Sequence, residues 1–205
     1  QTRASEMEVH QGLGRSPVGE VKLIAAAFAL FCLVVGFGAH YTFTWTTFRP
    51  GVTWAAVLTG VATSLLAIAS VGIIAKLATS PPELLSHVAA LEWIAGLWLT
   101  LLGCYLWTSA ESLLEYTRAR KRVALGLTDP AVSNRLLLWG VANAVQLFVN
   151  SASIVLQMEG ITPTNHMLGT LLIGSSGLFA AVLMYLAFLP PASYLRFVRR
   201  GLQTA

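Results

Sequence analysis

Charge is what this chain has least of. Only 11% of its 205 residues are Asp, Glu, Lys or Arg, against 56% hydrophobic, and the mean hydropathy is +0.69. An ordinary soluble domain carries about 25% charged residues, so this composition excludes one. Cysteine is nearly absent as well. Cys32 and Cys104 both fall inside apolar runs, where they read as small packing residues rather than a disulfide framework. There is no Walker A loop, GxGxxG, GxSxG, HExxH or paired CxxC. Nucleotide binding, nucleophile-elbow catalysis and zincin chemistry therefore lack their usual carriers. No lysine lies deep within an apolar run, where a retinal Schiff base would need one: Lys22, Lys76 and Lys121 all sit at run ends. Ser175 and Ser176 have no histidine at matching depth, and the reading leans away from an enzyme.

What is present is a set of five long apolar runs, at about 22–45, 52–78, 86–117, 132–158 and 165–189. Each is long enough to cross a bilayer, which takes about 20 residues. The expectation is an all-α polytopic membrane bundle whose transmembrane domain occupies 22–200. Its helices are placed at about 22–45, 52–78, 83–125, 130–158 and 164–189. Residues 1–21 read as an external mobile segment and residues 190–205 as a basic tail.

The few cations are unevenly placed. Nine of the 13 Lys and Arg lie at one end of the bundle: Arg49, Arg118, Arg120, Lys121, Arg122, Arg135, Arg196, Arg199 and Arg200. Arg3, Arg15, Lys22 and Lys76 lie at the other. By the positive-inside rule the N-terminus is expected outside and the C-terminus in the cytoplasm. The net charge of +4 is then no nucleic-acid footprint. Lipid head groups, or a partner, are the expected contacts of Arg118, Arg120, Lys121, Arg122, Arg196, Arg199 and Arg200. The sequence opens on Gln1; a removed signal peptide and two further upstream helices both agree with an external N-terminus.

Small residues recur on single faces at 4-3-4 spacing. Helix 1 presents Ala25, Ala29, Cys32 and Gly36, and helix 5 presents Thr170, Gly174, Gly177 and Ala181. Helix 2 carries Thr59, Thr63, Ala67 and Ser70. Close approach of membrane helices uses such stripes, so they are expected to be the seams of the bundle. Trp45, Trp54, Trp93, Trp107, Trp139 and Tyr185 lie mostly towards helix ends, as interfacial anchors do. The sharpest local signal is Gly126-Leu127-Thr128-Asp129-Pro130. Gly126 fits a left-handed C′ stop, Asp129 an N-cap and Pro130 the first position of the next helix. Helices 3 and 4 should form a tight antiparallel hairpin there.

Helix 4 also carries Asn143, Gln146, Asn150, Ser153 and Gln157 on one face. Such a stripe must face protein or a water-filled cavity, either as interhelical hydrogen bonding or as the wall of a ligand pocket or polar path. Glu92, about 13 Å into helix 3 at 1.5 Å per residue, is a candidate site by its depth. It could stay neutral or pair with the helix 4 amides. Glu83, His87, His166 and Glu159 gather at the outer end, where they could hold a divalent metal, or a haem ligated by His87 and His166. The cofactor itself stays unknown. On the basic side, Glu111, Glu115, Arg118 and Arg122 follow at 4-3-4 spacing, so Glu115 can pair along the helix in a solvated stretch or a docking face.

One likeness extends over the last 90 or so residues. The stretch Lys121-Arg122-Val123-Ala124-Leu125-Gly126-Leu127-Thr128-Asp129-Pro130, then Ser133-Asn134-Arg135 and Leu138-Trp139-Gly140, carries it, together with the closing Leu186-Ala187-Phe188-Leu189-Pro190-Pro191-Ala192-Ser193-Tyr194. This half resembles a group of uncharacterised bacterial seven-helix membrane proteins. The resemblance implies two further helices upstream and a bacterial inner membrane, and it brings no activity with it. The expected role is a non-catalytic accessory subunit of a larger membrane assembly, or a small sensor-like bundle, with the bilayer and other membrane subunits as partners. A cofactor-binding electron-transfer subunit is the alternative, and a proton or solute path through Glu92 and the helix 4 amides a further one.

Overall fold

The structure is a computed structural model that describes residues 17–79, 91–159 and 167–201. These form α1 (Pro17–Phe48), α2 (Thr53–Thr79), α3 (Leu91–Ala124), α4 (Pro130–Met158), α5 (Met167–Phe188) and α6 (Ala192–Gly201). The first five are each long and apolar enough to cross a membrane. The chain is a polytopic helix bundle. At 1.5 Å per residue the 34 residues of α3 reach about 50 Å, well past the ~30 Å hydrocarbon layer.

Two ends differ from expectation. Residues 17–21, read as part of the polar leader, belong to α1. Pro17 starts it with its φ already helical and without an N–H to leave unpaired. The tail after Pro190-Pro191 is a helix, with the Leu195 amide donating to the Pro191 carbonyl at 3.1 Å. Its faces explain it: Arg196 and Phe197 are exposed, while Tyr194 and Leu195 turn half-buried towards the bundle. Residues 1–16, and the expected helical positions 83–90 and 164–166, lie outside the described residues.

The α3–α4 turn forms as its residues demand. Gly126 takes φ +70°, a left-handed value that costs a residue with a Cβ. Its N–H donates to Val123 at 2.9 Å and that of Leu127 to Arg122 at 2.9 Å, completing a Schellman motif. Asp129 then caps α4, its carboxylate accepting from the Ala131 amide at 2.9 Å, with Pro130 in the first turn.

Helix α3 is the hub. It packs most extensively on α4, and also on α2 and α1; α5 is held by α4, and α1 pairs with α2. The closest seams form where side chains vanish. A Cβ on Gly140 would sit 2.8 Å from Leu113, on Gly38 3.2 Å from Thr63, and on Gly72 inside the Trp93 ring. The stripe of α2 lies in such a seam, with Thr59 and Ser70 buried. Those of α1 and α5 do not. Ala25, Ala29, Cys32 and Gly36 are all exposed, as are Thr170, Gly174, Gly177 and Ala181. The expectation that they join this chain's own helices is corrected: α1 turns Gly38, Tyr41 and Thr44 inward instead, because these meet Thr63, Thr100 and Thr108.

Candidate functional site

The amides of α4 are satisfied largely by their own helix. The side-chain nitrogen of Asn143, which is 3% exposed, donates to the Trp139 carbonyl at 2.9 Å. Asn150 donates to the Gln146 carbonyl at 2.7 Å, Ser153 to Val149 at 2.8 Å and Gln157 to Ser153 at 3.2 Å. Among the described residues only Gln146 of this row bonds to another helix, donating to the Ser176 carbonyl of α5 at 3.1 Å. In a membrane a bond to one's own i−4 carbonyl hides a polar group without needing a neighbour. The row is a helix with its polar atoms folded in, joined to α5 at one point.

Glu92 lies in the first described turn of α3 and is exposed. Its carboxylate bonds to none of the α4 amides. Glu159, the C-cap of α4, is exposed as well. Its suggested co-ligands Glu83, His87 and His166 lie outside the described residues. Among the described residues no three His, Cys, Asp or Glu side chains converge on a metal position.

The polar interior that does form sits elsewhere, between α1 and α3. Thr44 and Thr108, both without exposed surface, share a hydrogen bond of 2.8 Å. The Tyr41 hydroxyl donates to the Thr100 carbonyl at 2.7 Å, and Ser109 donates across to the Gly140 carbonyl of α4 at 3.0 Å. Glu111 is 5% exposed and receives the Arg49 guanidinium through Nε at 2.8 Å and the Trp107 indole at 3.3 Å. The carboxylate's hydrogen bond, and then its charge, raise the Arg49 pKa above the ordinary arginine range. Sequence reading had placed Glu111 in a solvated stretch. Its spacing from Glu115 was visible, but the approach of Arg49, which lies 62 residues away along the chain, was not. Glu115 does pair with Arg118.

Aromatic rings fill the wider gap between α1, α4 and α5. Trp139 meets Phe43 at 4.6 Å, Phe48 at 5.4 Å and Phe188 at 5.5 Å between ring centroids. His40 lies 6.5 Å from the same ring, and His40 Nε2 and Trp139 Nε1 are buried without hydrogen-bond partners.

The basic residues gather at the end of the bundle closed by the Gly126 turn and α6. Arg118, Arg120, Lys121, Arg122 and Arg196 are exposed there, and Arg199 and Arg200 lie on α6.

No family model, curated protein or solved structure matches the chain.

Among the five long helices, α1 and α5 are the least covered. None of the most apolar 18-residue stretch of α1 is buried within the chain, and 11% of that of α5, against 28% for α2 and α3. A Cβ placed on Gly36, Gly174 or Gly177 would meet nothing within 4 Å.

Proposed function

We propose that this chain is a non-catalytic integral membrane protein that serves as an accessory subunit of a larger membrane assembly. In this reading it sits in a bacterial inner membrane with its N-terminus outside. The observation that carries the proposal is the outward orientation of the small-residue stripes on α1 and α5. Lipid tails are as apolar as leucine, so membrane helices associate through close backbone approach, and small residues permit it. A face of Ala25, Ala29, Cys32 and Gly36 turned to lipid has no packing use inside this chain. Its fitting occupant is a transmembrane helix of another subunit.

The test is extraction in a mild detergent followed by mass spectrometry of the intact particle. Other membrane subunits should co-purify with the wild type. Gly174→Leu and Gly177→Leu should release them while the isolated chain stays helical and monodisperse. Recovery of a lone monomer, unaffected by either substitution, would sink the reading. Cys32 provides a second readout, because it stands exposed on the α1 stripe. A maleimide-linked photocrosslinker attached to it should trap a neighbouring chain.

A further inference from the structure

At the basic end, α6 packs against α4, and the two enclose a cleft with the end of α3. Its volume is about 360 Å³, near the lower limit of small-ligand sites, which run from about 300 to 1,000 Å³. Tyr116 and Arg120 come from α3, Ser133, Asn134 and Leu137 from α4, and Phe197 from α6. We propose that this cleft holds the phosphate head group of an anionic phospholipid.

The chemistry is that of a phosphate seat with an apolar margin. Among the described residues Arg120 is the only charged one in the lining, and no acidic residue competes for it there. Its Cζ stands 6.0 Å above the centre of the Tyr116 ring. An arginine resting on a ring keeps its in-plane N–H fork free, and that fork matches two phosphate oxygens. Asn134 uses one amide hydrogen on the Tyr194 hydroxyl at 2.7 Å, which fixes the amide and leaves its second hydrogen to donate. Ser133, 3% exposed, adds a hydroxyl to the wall.

The other half of the lining is apolar, which suits a lipid. Leu137 and Phe197 can take the glycerol and the first methylenes. Phe197 is 74% exposed on a short amphipathic helix beside Arg196, the arrangement of a segment lying in the head-group layer. Basic pockets between helices at that depth bind anionic head groups. The Arg120 charge, with no acidic residue beside it in the described lining, disfavours a head group ending in a quaternary ammonium. This inference is independent of the subunit reading: lipid can fill the cleft whether or not other chains cover α1 and α5.

The experiment is native mass spectrometry of the full chain in detergent, titrated with phosphatidylglycerol, phosphatidylcholine or glycerol 3-phosphate. Phosphatidylglycerol should be retained over phosphatidylcholine, and Arg120→Gln should cut its retention about tenfold, the loss of one charge-assisted bidentate contact. Arg122→Gln, an exposed neighbour outside the cleft, should leave retention unchanged. Phe197→Ala should weaken lipid binding without unfolding the bundle, as circular dichroism would verify. Equal losses in Arg120→Gln and Arg122→Gln would mean a diffuse basic surface and overturn the proposal. Equal retention of phosphatidylcholine would overturn it too. Displacement of the lipid by glycerol 3-phosphate at matched concentration would replace the lipid with a soluble phosphate ligand.

Discussion

Arg49 and Glu111 meet through a 2.8 Å bond between Nε and Oε1, clamping the α1–α2 turn onto the side of α3. The carboxylate side chain is 7% exposed and the guanidinium 33%, so the pair is buried on one side and wetted on the other. Removing the arginine leaves a largely buried carboxylate with the Trp107 indole, at 3.3 Å, in place of a charged partner.

Arg49→Ala should lower the melting temperature, and by less than the loss of a fully buried pair because the arginine is partly solvated. Thermal unfolding in detergent would measure it. An unchanged melting temperature would show that the clamp contributes nothing.

The same pair has a pH signature. A cation whose folded pKa is raised contributes stability below its unfolded value and loses it only as pH climbs through the folded one. For Arg49 that window opens only above the ordinary arginine range, which is already strongly alkaline. Alkaline titration to about pH 11 should therefore leave the wild-type arginine in its contact. Arg49→Lys should lose its share of stability once the pH passes about 10.4, the ordinary lysine value, by however much Glu111 raises it. Parallel melting curves at pH 8 and pH 11 would separate the two.

Glycines on the two sides of the bundle should respond oppositely. Gly140→Val places atoms 2.8 Å from Leu113 and 3.3 Å from Ser112, with α3 unable to retreat from its main packing partner. A loss of about 1–3 kcal/mol is expected from overpacking. Gly177→Ala meets nothing within 4 Å in this chain and should leave the isolated bundle unchanged.

Thr44 and Thr108 allow a direct measure of polar packing in the interior. A double-mutant cycle with Thr44→Val and Thr108→Val should return a coupling of about 0.6 kcal/mol, and no more than about 1.7. A zero coupling would assign each hydroxyl to its own helix, where Thr44 also reaches the His40 carbonyl at 3.0 Å.

Gly126→Ala tests the turn. The left-handed φ of +70° should cost about 1 kcal/mol and loosen the α3–α4 hairpin. Faster amide exchange at Leu127, whose N–H closes the motif on Arg122, would report it.

Features set by local chemistry were legible in advance. The stop at Gly126, the cap at Asp129 and the helix start at Pro130 are each dictated by a residue's own φ preference or side-chain acceptor. Features set by rotation about a helix axis were not. The α4 amides read as a wall facing a neighbour because period 3.6 puts them on one face. Periodicity does not say that Asn143, Asn150 and Gln157 would spend their donors on carbonyls four residues back. The tail after Pro191 read as a basic extension, since ten residues are too few to hold a helix by propensity alone. Contact with α4 through Asn134 and Tyr194 anchors it.

The amino-acid sequence by itself determined that the described residues carry five helices long and apolar enough to cross a membrane, because hydrocarbon admits a lone apolar run only as a helix with its backbone satisfied. It also determined the α3–α4 hairpin, whose signals lie within five residues. Only the tertiary structure decided which face of each helix is buried. Lipid and protein interior are equally apolar, so hydrophobicity cannot tell the inside of a membrane bundle from its outside. Packing shape and a few polar bonds make that choice: Gly140 against Leu113, Thr44 against Thr108, Arg49 against Glu111. They turn the small-residue faces of α1 and α5 outward.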